Sequence, residues 1–289
     1  MRPSYNLSPG RIALLLLLAS GTVSFVGGAY GEEKEKNERD RARMLKQMTD
    51  LAAEAKLILK NAQREPKLVP QPVFRYDDQP RQFIDATMWV WTDRGRPVAF
   101  EKVEAMIHRD TGEAQWGYCF TSVSEDQVAI RWSESRNYHS KEAGINFQPL
   151  EGAPEVFEKE SQRKRQARDL AKGLSARVVI DPKNNVTQEM RLLTTPIYEY
   201  TDEKTKEYAG SVFALSTNGT NPDLLVLLEP REAGGKTKWL IAPARMTSGG
   251  VTLSFRDKKV WDCPFVSPRE APFATWTFFQ VPRKALSEE

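Results

Sequence analysis

Two stretches of this 289-residue chain repeat each other at a nearly constant distance, and that restricts its fold more than any other feature. Pro72-Val-Phe-Arg-Tyr76 corresponds to Pro196-Ile-Tyr-Glu-Tyr200 at a spacing of 124. Trp116 corresponds to Trp239, and the alternating triplet Val128, Ile130, Trp132 to Val251, Leu253, Phe255, both at 123. Ser124-Glu-Asp126 falls opposite Thr247-Ser-Gly249, turn against turn, and Asp169-Leu-Ala171 echoes Asp50-Leu-Ala52. A fixed offset over three strands and a turn is the signature of a duplicated unit.

The periodicities inside each copy suggest what the unit is. Apolar residues at Leu45, Met48, Ala52, Ala55, Leu59 and Ala62 follow helical spacing, within a segment over 33–63 that Pro66 must end. Prolines 66, 70, 72 and 80 mark an extended connection, and short strand-like runs follow: Val73–Tyr76, Thr87–Thr92, Val98–Met106, Gln115–Val123 and Val128–Trp132. A second, shorter helix is predicted over Glu160–Leu174, and strand-like runs then return to Val281, with Asn218-Gly219 as the strongest hairpin signal. The expected fold class is α+β: two related units, each an amphipathic helix followed by an antiparallel β-meander, similar in outline to cystatin-like and NTF2-like sheets. The alternative is a β-sandwich with flanking helices. The expected division is 1–31 as signal peptide or N-terminal anchor, 32–66 as amphipathic helix, 67–152 as the first α+β unit and 153–289 as the second.

Arg2 and Arg11 precede the apolar run Ile12–Leu18, which stays apolar or small to Ala29. This is the pattern of an export signal, with small residues near 27–31 for cleavage. An uncleaved anchor over residues 12–29, just long enough to span hydrocarbon, is the other reading. Either way residues 32–289 are expected outside the cytoplasm: periplasmic, secreted or anchored. An oxidising compartment permits a disulfide between Cys119 and Cys263, the two cysteines present; two separate buried thiols is the alternative. Charge excludes more than it suggests. The two cations of the leader leave residues 32–289 with 40 Lys plus Arg against 39 Asp plus Glu, so no nucleic-acid partner is expected, and membrane contact only through residues 12–29.

The second half resembles a group of exported proteins of planctomycete bacteria with no known activity. The motifs that carry the resemblance are Arg191-Leu-Leu-Thr-Thr-Pro-Ile-Tyr-Glu-Tyr200, Gly219-Thr-Asn-Pro-Asp-Leu-Leu-Val-Leu-Leu-Glu229, Ala244-Arg-Met-Thr-Ser-Gly249 and Trp276-Thr-Phe-Phe-Gln-Val-Pro282. The resemblance extends more weakly back to about Pro72. It implies a bacterial, exported protein and supplies no catalytic residue.

Residues for chemistry are sparse. His108 and His139 have no Cys or His at metal spacing, so no metal and no cofactor is expected. The Ser-rich stretch 133–140 around His139 lacks a nucleophile elbow. Glu101 and Glu104 fall on opposite faces of one strand, and Glu229 has Arg231 two residues on, the pattern of an ion-paired strand end. Arg163, Lys164, Arg165 and Arg168 form a basic helix face. Trp89 and Trp91 share one strand face, as do Trp116, Tyr118 and Phe120. Flat rings on an open sheet would form a ligand platform, with Trp89, Trp91, Trp116 and Tyr118 as its members; the same alternation also describes a core face. The function expected is noncatalytic binding of a protein or carbohydrate ligand. The alternatives are an extracytoplasmic hydrolase acting on a carbohydrate polymer and a membrane-tethered envelope component.

Overall fold

A computed structural model describes residues 27–184, 186–267, 270 and 272–283. The leader therefore lies outside the described residues apart from 27–31. Among the described residues no helix is long and apolar enough to cross a membrane. The chain divides into two compact units, Met1–Ala42 and Arg43–Glu289. The described part of the first is the opening of helix α1 (Gly27–Glu54), and all that follows concerns the second.

In chain order α1 is followed by strands β1 (Lys56–Leu59), β2 (Lys67–Leu68), β3 (Phe74–Asp78), β4 (Phe83–Asp93), β5 (Arg96–Ile107), β6 (Ala114–Ser122), β7 (Val128–Ser133), β8 (Arg136–His139) and β9 (Gln148–Pro149). Helix α2 (Glu160–Ala171) then precedes β10 (Leu174–Asp181), β11 (Val186–Thr201), β12 (Tyr208–Ser216), β13 (Leu224–Ala233), β14 (Lys236–Arg245), β15 (Gly250–Phe255), β16 (Lys258–Cys263) and β17 (Trp276–Pro282). The strands form a three-stranded sheet β1-β7-β8, a sheet β17-β6-β5-β4-β2 with β3 also on β4, and an eight-stranded sheet β16-β15-β10-β11-β12-β13-β14-β9.

The α+β expectation is corrected by this architecture. Strands hold 53% of the chain and helix 14%, in three antiparallel sheets, so the protein is mainly β and not a pair of helix-then-meander units. The reason is visible in the burial of the strands. Met88, Val90, Phe100 and Cys119 of one large sheet pack against Val212, Ala214, Leu225, Leu227, Ala242 and Ala244 of the other. Strands expected to be half-exposed are thus covered on both faces, β5 being buried from Pro97 to Met106. Each helix is a patch on an outer face: α1 lays Met48 and Ala52 on Trp89, Val103 and Trp116, and α2 lays Ala167, Leu170 and Ala171 near Phe213, Leu215 and Trp239. Two sheets sharing one core leave the comparison with cystatin-like and NTF2-like sheets without support.

Helix α1 also ends earlier than its spacing predicts. After Glu54 the chain extends, because Leu57 and Leu59, buried at 2% each, alternate on one face and pair with Ile130 and Val128 of β7. In the second half β10 pairs with β15 in the same manner, Ala176 opposite Leu253 and Val178 opposite Val251. The halves differ at the next step. β11 runs unbroken and joins β10 to β12. The corresponding segment of the first half carries Pro66, Pro70 and Pro72, which lack ladder N–H groups, so β1-β7-β8 remains a separate sheet.

The last strand of each half crosses over. β9 follows β8 yet pairs with β14, Gln148 opposite Ile241. β17 follows β16 yet pairs with β6, Phe278 opposite Cys119. Each half therefore completes the sheet of the other.

Candidate functional site

The aromatic residues singled out as a platform are buried. Trp89 is 0% exposed, Trp91 4%, Trp116 7% and Tyr118 7%, all beneath α1 and the three-stranded sheet. The platform reading is corrected accordingly: the alternation that aligned these rings is that of a core face. Cys119 and Cys263 are free thiols, the first enclosed between the large sheets and the second at the end of β16. His108 accepts from the backbone N–H groups of Asp110 and Thr111, a turn contact. His139 is exposed on β8. In the basic face of α2, Lys164 and Arg168 pair with Glu199, and Lys164 also with Glu160.

Glu101 and Glu104 do lie on opposite faces of β5. Glu101 points outward beneath the three-stranded sheet, where Trp132 Nε1 donates to it at 2.5 Å and Trp91 Nε1 at 3.2 Å. Burial raises its pKa to about 7 against the pull of those two donors. Glu104 points the other way and accepts from Tyr76 Oη at 2.5 Å.

That tyrosine and glutamate recur in the second half. Tyr76 lies opposite Ala86 on β4, and Ala86 opposite Glu104 on β5. Tyr200 lies opposite Gly210 on β12, and Tyr200 Oη donates to Glu229 on β13. A neighbouring ring stacks beside each tyrosine, Phe74 at 6.1 Å and Tyr198 at 6.1 Å. A cation stands over each, Lys102 at 5.7 Å and Arg96 at 5.8 Å. Burial first and the glutamate second hold both phenols well above their ordinary pKa. A hairpin turn from the opposite half reaches each pair. Gly95, at φ +80° in the β4–β5 turn, lies so near Thr201 that a Cβ would stand 2.5 Å from its carbonyl oxygen. Gly219, at φ +54° in the β12–β13 connection, approaches the carbonyl of Asp77.

The two pairs differ in what closes them. Around Tyr76 and Glu104 the opposite loop fills the space. Lys102 Nζ donates to Asn221 Oδ1 at 2.7 Å, Asn221 Nδ2 donates to Asp78 at 3.0 Å, and Arg81 forks onto Asp223 at 2.9 and 3.1 Å. Lys102, Asn221, Asp78 and Asp223 are each 2% exposed or less. Every charge there has a partner, and Arg81 alone of the five reaches solvent, at 31% side-chain exposure, which is how a structural polar plug is built.

Tyr200 and Glu229 are equally buried, but the corresponding place beside Glu229 borders a cleft. Arg96 and Arg231 both donate to Glu229, which is 2% exposed, while their own side chains are 32% and 25% exposed. Arg231 also reaches Glu125 at 2.9 Å and lies 3.7 Å over the Phe147 ring. Burial would lower the pKa of Arg231, but its two carboxylate partners outweigh that and raise it. These groups border a cleft of about 430 Å³, whose far side carries Arg64 paired with Asp93, Asn61 with Asp126, and an apolar strip that includes Val98 and Ile145. Among the described residues no group of three or more His, Cys, Asp or Glu gathers to hold a metal.

The cleft offers hydrogen-bond donors beside acceptors. Arg96 commits Nη2 to Glu229, leaving further N–H groups of its guanidinium, and Asp93, Glu125 and Asp126 keep acceptor capacity. Of these residues the sequence pointed to Glu229 and Arg231 alone. Tyr200 ends the matched pentapeptide, and Glu229 follows Glu104 by 125 residues, so the repeat itself carries a signal for the pair. Compared with known proteins, the chain matches no family model, no curated protein and no solved structure.

Proposed function

We propose that the chain is an exported, noncatalytic binding protein whose Glu229 cleft receives a carbohydrate. The observation that carries the reading is the contrast between the surroundings of the two buried tyrosine–glutamate pairs: one is plugged by the opposite loop, while the glutamate of the other is held by two part-exposed arginines that border a cleft. Structural need alone explains the closed copy; the open one leaves hydrogen-bonding groups for something else. The cleft is lined by Arg64, Arg96 and Arg231 against Asp93, Glu125, Asp126 and Glu229, a near balance of charge with donors and acceptors interleaved. A hydroxyl both donates and accepts, so a neutral polyol satisfies such a surface without bringing a charge. The apolar leader after Arg2 and Arg11 supports the export part of this proposal, as does the resemblance to exported planctomycete proteins.

A hydrolase on the same cleft has less support. Glycosidic cleavage needs a carboxylic acid that hands a proton to the leaving oxygen. Glu229 accepts from Tyr200, Arg96 and Arg231, so its lone pairs are engaged as acceptors. Glu101, which keeps its proton to near neutrality, is 0% exposed under Trp91 and Trp132. The test is calorimetric titration of the protein with cellohexaose, xylohexaose, laminarihexaose and chitohexaose, with reducing ends assayed in the same samples. The reading requires binding of at least one oligosaccharide without new reducing ends. Release of reducing ends that Glu229→Gln abolishes would replace it with the hydrolase.

A further inference from the structure

A second cleft, of about 760 Å³, opens where the two crossing segments leave their sheets, its walls drawn from residues 141–146, 148, 243–245, 261–264, 266, 270 and 272–276. Arg245, the last residue of β14, stands in its wall and is 8% exposed. Its guanidinium donates to three backbone carbonyls, Thr247 at 2.9 Å, Pro264 at 2.9 Å and Gly249 at 2.8 Å. Nε, Nη1 and Nη2 each use one N–H in this way, so one remains on each Nη atom. No carboxylate among the described residues pairs with it. Arg81 and Arg231, whose side chains are 31% and 25% exposed, each hold an acid.

Carbonyl dipoles satisfy hydrogen bonds but do not neutralise a charge, and an uncompensated buried cation is costly. The effect shows in direction: burial lowers the pKa of Arg245, whereas carboxylate partners raise those of Arg64, Arg81 and Arg231. A second unmet group stands beside it. Trp276, whose ring centroid lies 5.8 Å from the Arg245 guanidinium carbon, also lines the cleft and has a buried indole N–H with no acceptor among the described residues. Phe273 stacks on Trp276 at 4.4 Å, and Ile145 and Val266 extend the apolar wall. The charged rim residues Lys141, Glu142, Asp262 and Glu270 are exposed, where water screens them, and Asp262 pairs with Lys259.

We propose that this cleft binds a ligand through a carboxylate seated on Arg245, with an apolar body against Phe273, Trp276 and Ile145. One guanidinium matches one negative charge, so a monocarboxylate is accommodated and a phosphate dianion is left half-neutralised. A small organic acid and the C-terminus of a peptide share this chemistry.

Calorimetry at pH 7 decides the matter with hexanoate against hexanamide, and with acetyl-alanyl-leucine as free acid against its amide. At least one acid binds, and its amide binds at least tenfold more weakly; which acid binds identifies the source. Arg245→Lys weakens the acid tenfold or more. Because Arg245 also ties down three carbonyls, Ala274→Phe provides a second test: it adds bulk at a partly exposed lining residue while leaving Arg245 in place, and it removes binding while the melting temperature holds. Equal binding of acid and amide, binding unchanged in Ala274→Phe, or no binding of either acid at millimolar concentration overturns the proposal. Oligosaccharide binding at the Glu229 cleft is untouched by Ala274→Phe, so failure here is distinct from failure there.

Discussion

Replacing Glu101 by glutamine removes a pH dependence that the fold itself creates. Glu101 is 0% exposed on β5, and its pKa rises from an ordinary 4.5 to about 7, burial being the cause and the Trp132 and Trp91 indoles opposing it. A carboxyl whose folded pKa is raised favours the protonated fold. Its stability contribution is fully present below about pH 4.5 and is lost as pH rises through about 7. At 1.36 kcal/mol for each pH unit the whole gap is worth roughly 3 kcal/mol, of which about 2 to 3 kcal/mol falls between pH 5 and pH 8. Glutamine has the same shape and no titration. One indole loses its acceptor in the variant, at a cost of about 1 to 3 kcal/mol that does not vary with pH. Urea unfolding of wild type and Glu101→Gln at pH 5 and pH 8 gives four free energies. The wild type should lose roughly 2 to 3 kcal/mol more than the variant over that interval, since all other titrating groups are shared. Equal losses within about 0.5 kcal/mol, the resolution of such comparisons, would refute the argument.

Phe255→Ala should cost about 3 to 5 kcal/mol in urea unfolding, because the ring is 2% exposed in the core beneath the eight-stranded sheet. Gly210→Ala would put a Cβ 2.5 Å from Tyr200 Oη and 2.7 Å from Glu229 Cγ. It should cost about 1 to 3 kcal/mol and weaken oligosaccharide binding, read by thermal melting and calorimetry, whereas unchanged binding would separate the pair from the cleft. In native protein a thiol reagent should label the partly exposed Cys263 and spare Cys119, whose thiol burial raises to about 12, and reductant should leave the melting temperature unchanged. A melting temperature that falls on reduction would mean the two are bridged.

Local signals were legible and long-range ones were not. The hairpin at Asn218-Gly219 and the second helix announce themselves in consecutive residues, although that helix ends at Ala171 and the expected Leu174 opens β10. The crossing of β9 and β17 has no such signature: β9 is two residues long, and its partner Ile241 lies more than ninety positions away. That crossing brings the two large sheets into one core. β5 is buried by that core on the face carrying Lys102 and Glu104, and by α1 and the three-stranded sheet on the face carrying Glu101 and Val103. Alternation reports that a strand has two faces and not what covers each, so Trp89 and Trp116 fitted a platform as well as a core. The polar plug and the open cleft were hidden for the same reason, since each is assembled from one half's strands and the other half's turn.

The most direct measurement pairs one variant in the open copy with one in the closed copy, reading oligosaccharide affinity and melting temperature for both. Arg96→Ala withdraws a donor from the open cleft while Arg231 remains on Glu229. Asn221→Ala strips an acceptor from Lys102 and a donor from Asp78, both buried. The account predicts that Arg96→Ala weakens the oligosaccharide about tenfold or more with little change in melting. It predicts that Asn221→Ala lowers stability by about 2 to 4 kcal/mol with affinity unchanged. Affinity lost in Asn221→Ala and kept in Arg96→Ala would contradict it.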